Sequence, residues 1–174
     1  MHIDRGMRES LDTHDLNRGY LRSSRMSRYF HVWFTTKRKK HFLIDVVDRQ
    51  LHGIIWNICI EKRIELLAYE TMPDHVHLLI GANSLKDLMN SVKKIKGISS
   101  RRLSLEFRAL KWQCHINNIW AKGYGYREIP DNQIKVVIGY IKNQRKHLFI
   151  AGEYENTSCK ARSNTHELIR GYCS

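Results

Sequence analysis

Two periods of apolar spacing run along the chain. Residues 29–36 (YFHVWFTT) are aromatic and β-branched, which predicts a strand, and 37–41 follow as a basic turn. Residues 44–62 carry Val46, Val47, Leu51, Ile54, Ile55, Ile58 and Cys59 at helical spacing, with Asp45 placed to favour the first turn. Two short apolar runs, 64–69 and 75–80, flank the turn-like Thr71-Met72-Pro73-Asp74 and read as a hairpin. Residues 84–107 set Leu85, Leu88, Met89, Val92 and Ile95 on one stripe, with Ser84 as N-cap and Gly97 as an expected break. The stretch 119–129, containing WAKGYGYREI, predicts a short aromatic strand. Pro130-Asp131 then opens a helix to about residue 146, with Asp131 as its N-cap.

The order strand, helix, strand, strand, helix, strand, helix predicts an α+β fold. It suits a ferredoxin-like (RRM-like) sandwich, an antiparallel sheet with helices on one face, plus the C-terminal helix that bears Tyr140. Residues 1–28 show no sustained period and are expected to be an extension, 29–148 the folded domain, and 149–174 a weakly patterned tail. Acidic residues in the extension (Asp4, Glu9, Asp12, Asp15) argue against an organelle transit peptide, and Met26 is a second candidate start.

Composition narrows the class of partner. A chain of 174 residues with 42% hydrophobic and 27% charged positions suits one globular domain. Thirty Lys and Arg against 17 Asp and Glu leave +13, a surplus that calls for a polyanion. Residues 29–148 hold 21 Lys/Arg against 10 Asp/Glu, so +11 belongs to the folded body. No run reaches 18 apolar residues and no signal-peptide centre is present, so a soluble, cytoplasmic protein with no membrane partner is expected. The four cysteines, at 59, 114, 159 and 173, form no CxxC pair and read as reduced thiols.

Two constellations could carry chemistry. His75 and His77 lie two apart in a predicted strand, so both imidazoles point to one face, as a metal requires. The bland reading, two surface or hydrogen-bonded histidines, stays open on this spacing alone. Tyr140 and Gln144 lie four apart and share a helix face, where a tyrosine beside valines is ordinarily a packing residue.

Four blocks in fixed order carry a resemblance: HVWFTTKRKK at the start, MPDHVHLLI, SVKKIKGISSRRL followed by IWAKGYGYREI, and VIGYIKNQ. Over about residues 29–148 the chain resembles the HUH single-tyrosine transposases (transposase A) of bacterial and archaeal insertion sequences. The resemblance implies His75 and His77 as metal ligands, Gln144 as the third ligand and Tyr140 as the nucleophile. It further implies Mg²⁺ or Mn²⁺ as cofactor, single-stranded DNA with hairpin-bearing element ends as substrate, and a homodimer. The reaction implied is cleavage and rejoining of DNA through a 5′-phosphotyrosine. Basic residues with aromatics nearby suit such a strand, and the expected contacts are Lys37, Arg38, Lys93, Lys94, Lys96, Arg101, Arg102, Lys142 and Arg145. Gln144 followed by Arg145 fits the insertion-sequence branch better than the branch acting on repetitive extragenic palindromes. Alternative readings are a non-catalytic ferredoxin-like nucleic-acid-binding module, and a repeat-associated tyrosine transposase or replication-initiator-type nuclease.

Overall fold

The computed structural model describes residues 28–150, with side chains through residue 144. Among them run β1 (Arg28–Thr35), α1 (Asp45–Lys62), β2 (Glu65–Met72), β3 (His75–Ala82), α2 (Leu85–Glu106), the short α3 (Leu110–Gln113), β4 (Gly125–Ile129) and α4 (Ile134–Ile150). Single 3₁₀ turns lie at Lys37–Lys39 and Asp131–Gln133. The strands form one antiparallel sheet in the order β2-β3-β1-β4. Each β–α–β half is thus split by a central strand of the other half, which is the ferredoxin-like arrangement expected from the sequence.

Strand alternation assigns the faces. Phe30, Val32 and Phe34 of β1 are buried on one side, whereas Tyr29, His31, Trp33 and Thr35 point to the other and stay partly open. Val76, Leu78 and Ile80 of β3 join the first set, against Leu51, Ile55 and Ile58 of α1 and Leu88, Val92, Ile95 and Leu103 of α2. That is the main core. A second, smaller core lies on the opposite face, where Ile141 of α4 meets Leu79, Ala68 and Ile129, with Tyr29, Leu67, Ile134, Val137 and Ile138 around them. Covered on both faces, β3 reads as the unbroken apolar run Leu78-Leu79-Ile80 after its histidines.

The ends of the elements follow local chemistry. The Ser84 hydroxyl accepts from the Asp87 N–H at 3.1 Å and caps α2, as expected. Arg63 closes α1 in the left-handed region (φ 52°, ψ 45°), its N–H reaching the carbonyls of Cys59 and Ile60. Buried Asp48 of α1 accepts from the Thr71 hydroxyl of β2 and ties the first helix to the sheet.

Several expectations are corrected. Gly97 does not break α2: the helix runs through it because Ile95, Ser99 and Leu103 are buried on either side. Asp131 makes no capping bond; it lies inside a 3₁₀ turn that starts after Pro130. The strand expected over 119–129 begins only at Gly125. Before it, Trp120 is committed to the core, its indole N–H donating to Ser99 Oγ at 2.9 Å and its ring meeting Phe34 edge-on at 4.7 Å. Cys59 is a buried free thiol, pushed up to about 12 by burial. Apart from Arg28, which opens β1, the expected extension lies outside the described residues; so does the expected tail beyond residue 150. No helix among the described residues is long and apolar enough to cross a membrane.

Candidate active site

On the face beneath α4, cross-strand partners line up in rows. One row is Glu70–His77–Trp33–Gly125; the next toward the start of β1 is Ala68–Leu79–His31–Arg127; the next in the other direction is Met72–His75–Thr35. Period-2 alternation puts all of them on the same side of the sheet. Leu79 and Ala68 of the middle row lie in the small core with α4, while the rows of His77 and His75 lie beyond it. Tyr140 stands where cover gives way to open sheet, 53% exposed, with its ring 6.1 Å from that of His31 and 6.4 Å from that of His77.

The imidazoles are held from behind. His75 Nδ1 is 2.5 Å from Asp74 Oδ1, and His77 Nδ1 is 2.9 Å from His31 Nε2 across the two central strands. The rings of His75 and His77 are 4.9 Å apart and nearly perpendicular. If each Nδ1 donates its proton, to the carboxylate in one case and to the neighbouring imidazole in the other, both Nε2 lone pairs are left to face a cation. Burial, then His75 and His31, bring the His77 pKa down to about 4, and burial followed by Arg127 lowers that of His31. Neutral imidazole is the form that ligates.

Gln144 is half-buried one turn beyond Tyr140 on α4, and helical spacing puts it on the same side of the helix. The close contacts of the cluster join His31, Asp74, His75, His77 and Tyr140. Among the described residues no three His, Cys, Asp or Glu side chains are arranged to hold a metal. The donor set therefore fits a divalent cation only if a group of another kind, such as the Gln144 amide, completes it.

The basic residues divide. Lys37 and Arg38 sit in the turn directly after β1, beside the β2–β3 hairpin, since the Thr36 N–H donates to the Asp74 carbonyl at 2.7 Å. Lys93, Lys94, Lys96, Arg101 and Arg102 belong to α2, behind the sheet as seen from Tyr140. Within that group Lys96 folds inward onto the carbonyls of Ala121 (3.0 Å) and Gly123 and over the Phe34 ring, and Arg102 pairs with Glu61. Lys93, Lys94, Arg101 and Lys142 are exposed, and the side chain of Arg145 lies outside the described residues.

Sequence reasoning missed His31, Trp33, Asp74 and Arg127. Asp74 was visible in the PDHVH block, and His31 and Trp33 share a face by the same period-2 rule that pairs His75 with His77. What no single strand discloses is that β1 and β3 are neighbours in this register.

Residues 24–144 match the family model described as transposase, IS200-like. The chain is 30% identical over 115 residues to the ISDra2 transposase TnpA of Deinococcus radiodurans, covering 66% of this chain and 82% of that protein. It is 26% identical over 124 residues to the transposase for insertion sequence element IS200 of Salmonella typhimurium, covering 71% of this chain and 81% of that one. A crystal structure from Deinococcus radiodurans R1, described as that of a transposase, superposes with a TM-score of 0.56 at 34% identity over 71% of this chain and 95% of that one. A REP-associated tyrosine transposase bound to a REP hairpin shares the fold, with a TM-score of 0.51 at 17% identity over 87% of this chain and 86% of that one.

Proposed function

This chain belongs to the IS200-like transposase family, and on that premise we propose that it cuts and rejoins single-stranded DNA at insertion-sequence ends, with Tyr140 as nucleophile. The observation that carries the reading is the position of Tyr140, half exposed at the edge of α4 and leaning over the His31–His77 pair. An exposed phenol beside neutral, hydrogen-bonded imidazoles is poorly explained as packing; it is well placed to meet a phosphodiester.

The steps balance. The Tyr140 oxygen forms a bond to phosphorus as the bond from phosphorus to the 3′ oxygen breaks, the phenol proton is lost, and the departing 3′ oxygen gains one. The 5′ end remains on Tyr140 as a phosphotyrosine. Because that linkage is again a phosphodiester, a later 3′-hydroxyl reverses the reaction and joins a new strand without ATP. A divalent cation, Mg²⁺ or Mn²⁺ in this reading, supplies Lewis-acid polarisation of the phosphate when bound. His75, His77 and Gln144 would hold it, and Asp74 and His31 keep the two imidazoles oriented with Nε2 outward. Lys37, Arg38, Lys142 and Arg145 are the proposed strand contacts on β1's end and α4, with the α2 group as a second, more distant basic surface. A homodimer belongs to the same reading, the site being completed by Tyr140 of the same subunit or of its partner, as does the division into residues 1–28, 29–148 and 149–174.

The test is incubation of the full chain with labelled single-stranded DNA from the flanks of its own gene, with Mg²⁺ or Mn²⁺. The expected result is a denaturation-resistant protein–DNA adduct that is absent in Tyr140→Phe. Equal adduct in both proteins, or none in either across the flanks, rejects the assignment.

A further inference from the structure

We propose that the Trp33 indole is a stacking seat for one of the two nucleobases flanking the scissile phosphate. The inference rests on the reading of Tyr140 as nucleophile and adds to it a residue that recognises the strand.

Trp33 lies in the row of His77, on the same face of the sheet, directly across the ladder on β1. Its ring is 5.3 Å from that of His31, which touches both His77 and Tyr140. Although an indole has much to gain from burial, this one keeps 37% of its surface in water. The cover ends beside it: α4 shields Tyr29, Leu79 and Ile129, and the row containing Trp33 comes after them.

The indole is also fixed in place. Its partner on β4 is Gly125, and a Cβ at that position would collide with the ring atoms Cε2, Cζ2 and Nε1. The ring therefore rests on bare β4 backbone, an approach that only glycine permits. An aromatic over a strand glycine also shields that glycine, which is a structural use of the same contact. Shielding alone needs no neighbouring polar site, whereas here the aromatic surface adjoins the imidazole pair. On its other side the exposed Arg127, the register partner of His31, brings a guanidinium to the same face. A half-open rigid aromatic plane, a nearby cation and a phosphate-handling site together match the requirements of a single-stranded nucleotide, whose base stacks while its phosphate pairs with arginine.

The experiment is a double-mutant cycle between protein and DNA. On the strand whose cleavage position the Tyr140 adduct has mapped, each nucleotide flanking that position is replaced in turn by an abasic residue, and binding of the full chain is followed by anisotropy. Removing one of the two bases should weaken wild-type binding by about 10- to 100-fold. The same removal should cost Trp33→Ala no more than about 3-fold, because the seat is already gone. Trp33→Phe should keep most of the dependence, and Gly125→Ala, which displaces the indole, should lose it. Thermal melts report a purely structural role, which would shift melting equally with intact and abasic DNA. As a second measurement, the quenching of intrinsic fluorescence on DNA binding should be diminished in the folded Trp33→Phe protein, Trp56, Trp112 and Trp120 remaining. An equal abasic penalty in wild type and Trp33→Ala at both positions overturns the proposal, as does unchanged quenching in Trp33→Phe. Adduct formation reports separately: an adduct without coupling rejects the seat alone, and no adduct rejects the nucleophile.

Discussion

The side chain with the largest departure from ordinary ionisation in the cluster is His77, whose pKa is brought down to about 4 by burial and by His75 and His31. The groups facing it are His31 from β1, His75 from its own strand and Tyr140 from α4, with Trp33 its register partner on β1. In the unfolded chain the same imidazole titrates near 6.5, so between about 6.5 and 4 the unfolded state binds the proton more readily. The stabilising contribution is complete above the unfolded value and is lost as pH falls through this window. Urea unfolding of the metal-free protein should therefore show a lower midpoint at pH 5 than at pH 7. His77→Gln should remove part of that difference, His31 being shifted in the same direction. Midpoints with identical pH dependence in the two proteins would contradict the assignment.

At the scale of elements, α4 is the part that carries the proposed nucleophile. It is anchored by Ile141, fully buried against Leu79, Ala68 and Ile129, immediately after the exposed Tyr140. Ile141→Ala should cost about 2 kcal/mol or more through lost burial and the cavity left behind. Adduct yield per folded molecule should fall more than DNA affinity does. Leu103→Ala, in the main core behind the sheet, should cost comparable stability and leave adduct yield per folded molecule near wild type. Adduct assays alongside equilibrium unfolding distinguish the two.

The elements were largely legible because each has a clean period: 2 in Phe30, Val32 and Phe34, and 3.6 in Leu51, Ile55 and Ile58. Gly97 misled because its propensity is outweighed by its buried neighbours, and α3 escaped because four residues carry no period. In the candidate site, alternation put His75 and His77 on one face, and the resemblance pointed to Tyr140 and Gln144. His31, Trp33 and Arg127 were not, because strand pairing, not sequence proximity, assembles them.

For the whole molecule, charge should govern affinity more than it governs specificity. The net +11 of residues 29–148 is distributed around the fold, from the turn after β1 to the rear helix α2. Each phosphate neutralised on a single strand releases counterions, so log affinity should fall linearly with log salt. For about five phosphates engaged, affinity should drop about 100-fold between 50 and 200 mM salt. Trp33→Ala should weaken binding without changing that slope, whereas charge-removing substitutions at Lys37 and Arg38 should make it shallower if those residues meet the strand. A slope near zero would contradict the charge-governed account.

The bond between His31 and His77 joins the two innermost strands of the sheet. Shift their alignment by a single position and alternation would turn one of these imidazoles into the greasy interior while its counterpart stayed outside. A mispaired chain would thus lack the paired imidazoles altogether. Correct strand register and assembly of the candidate site are in this way a single event in folding.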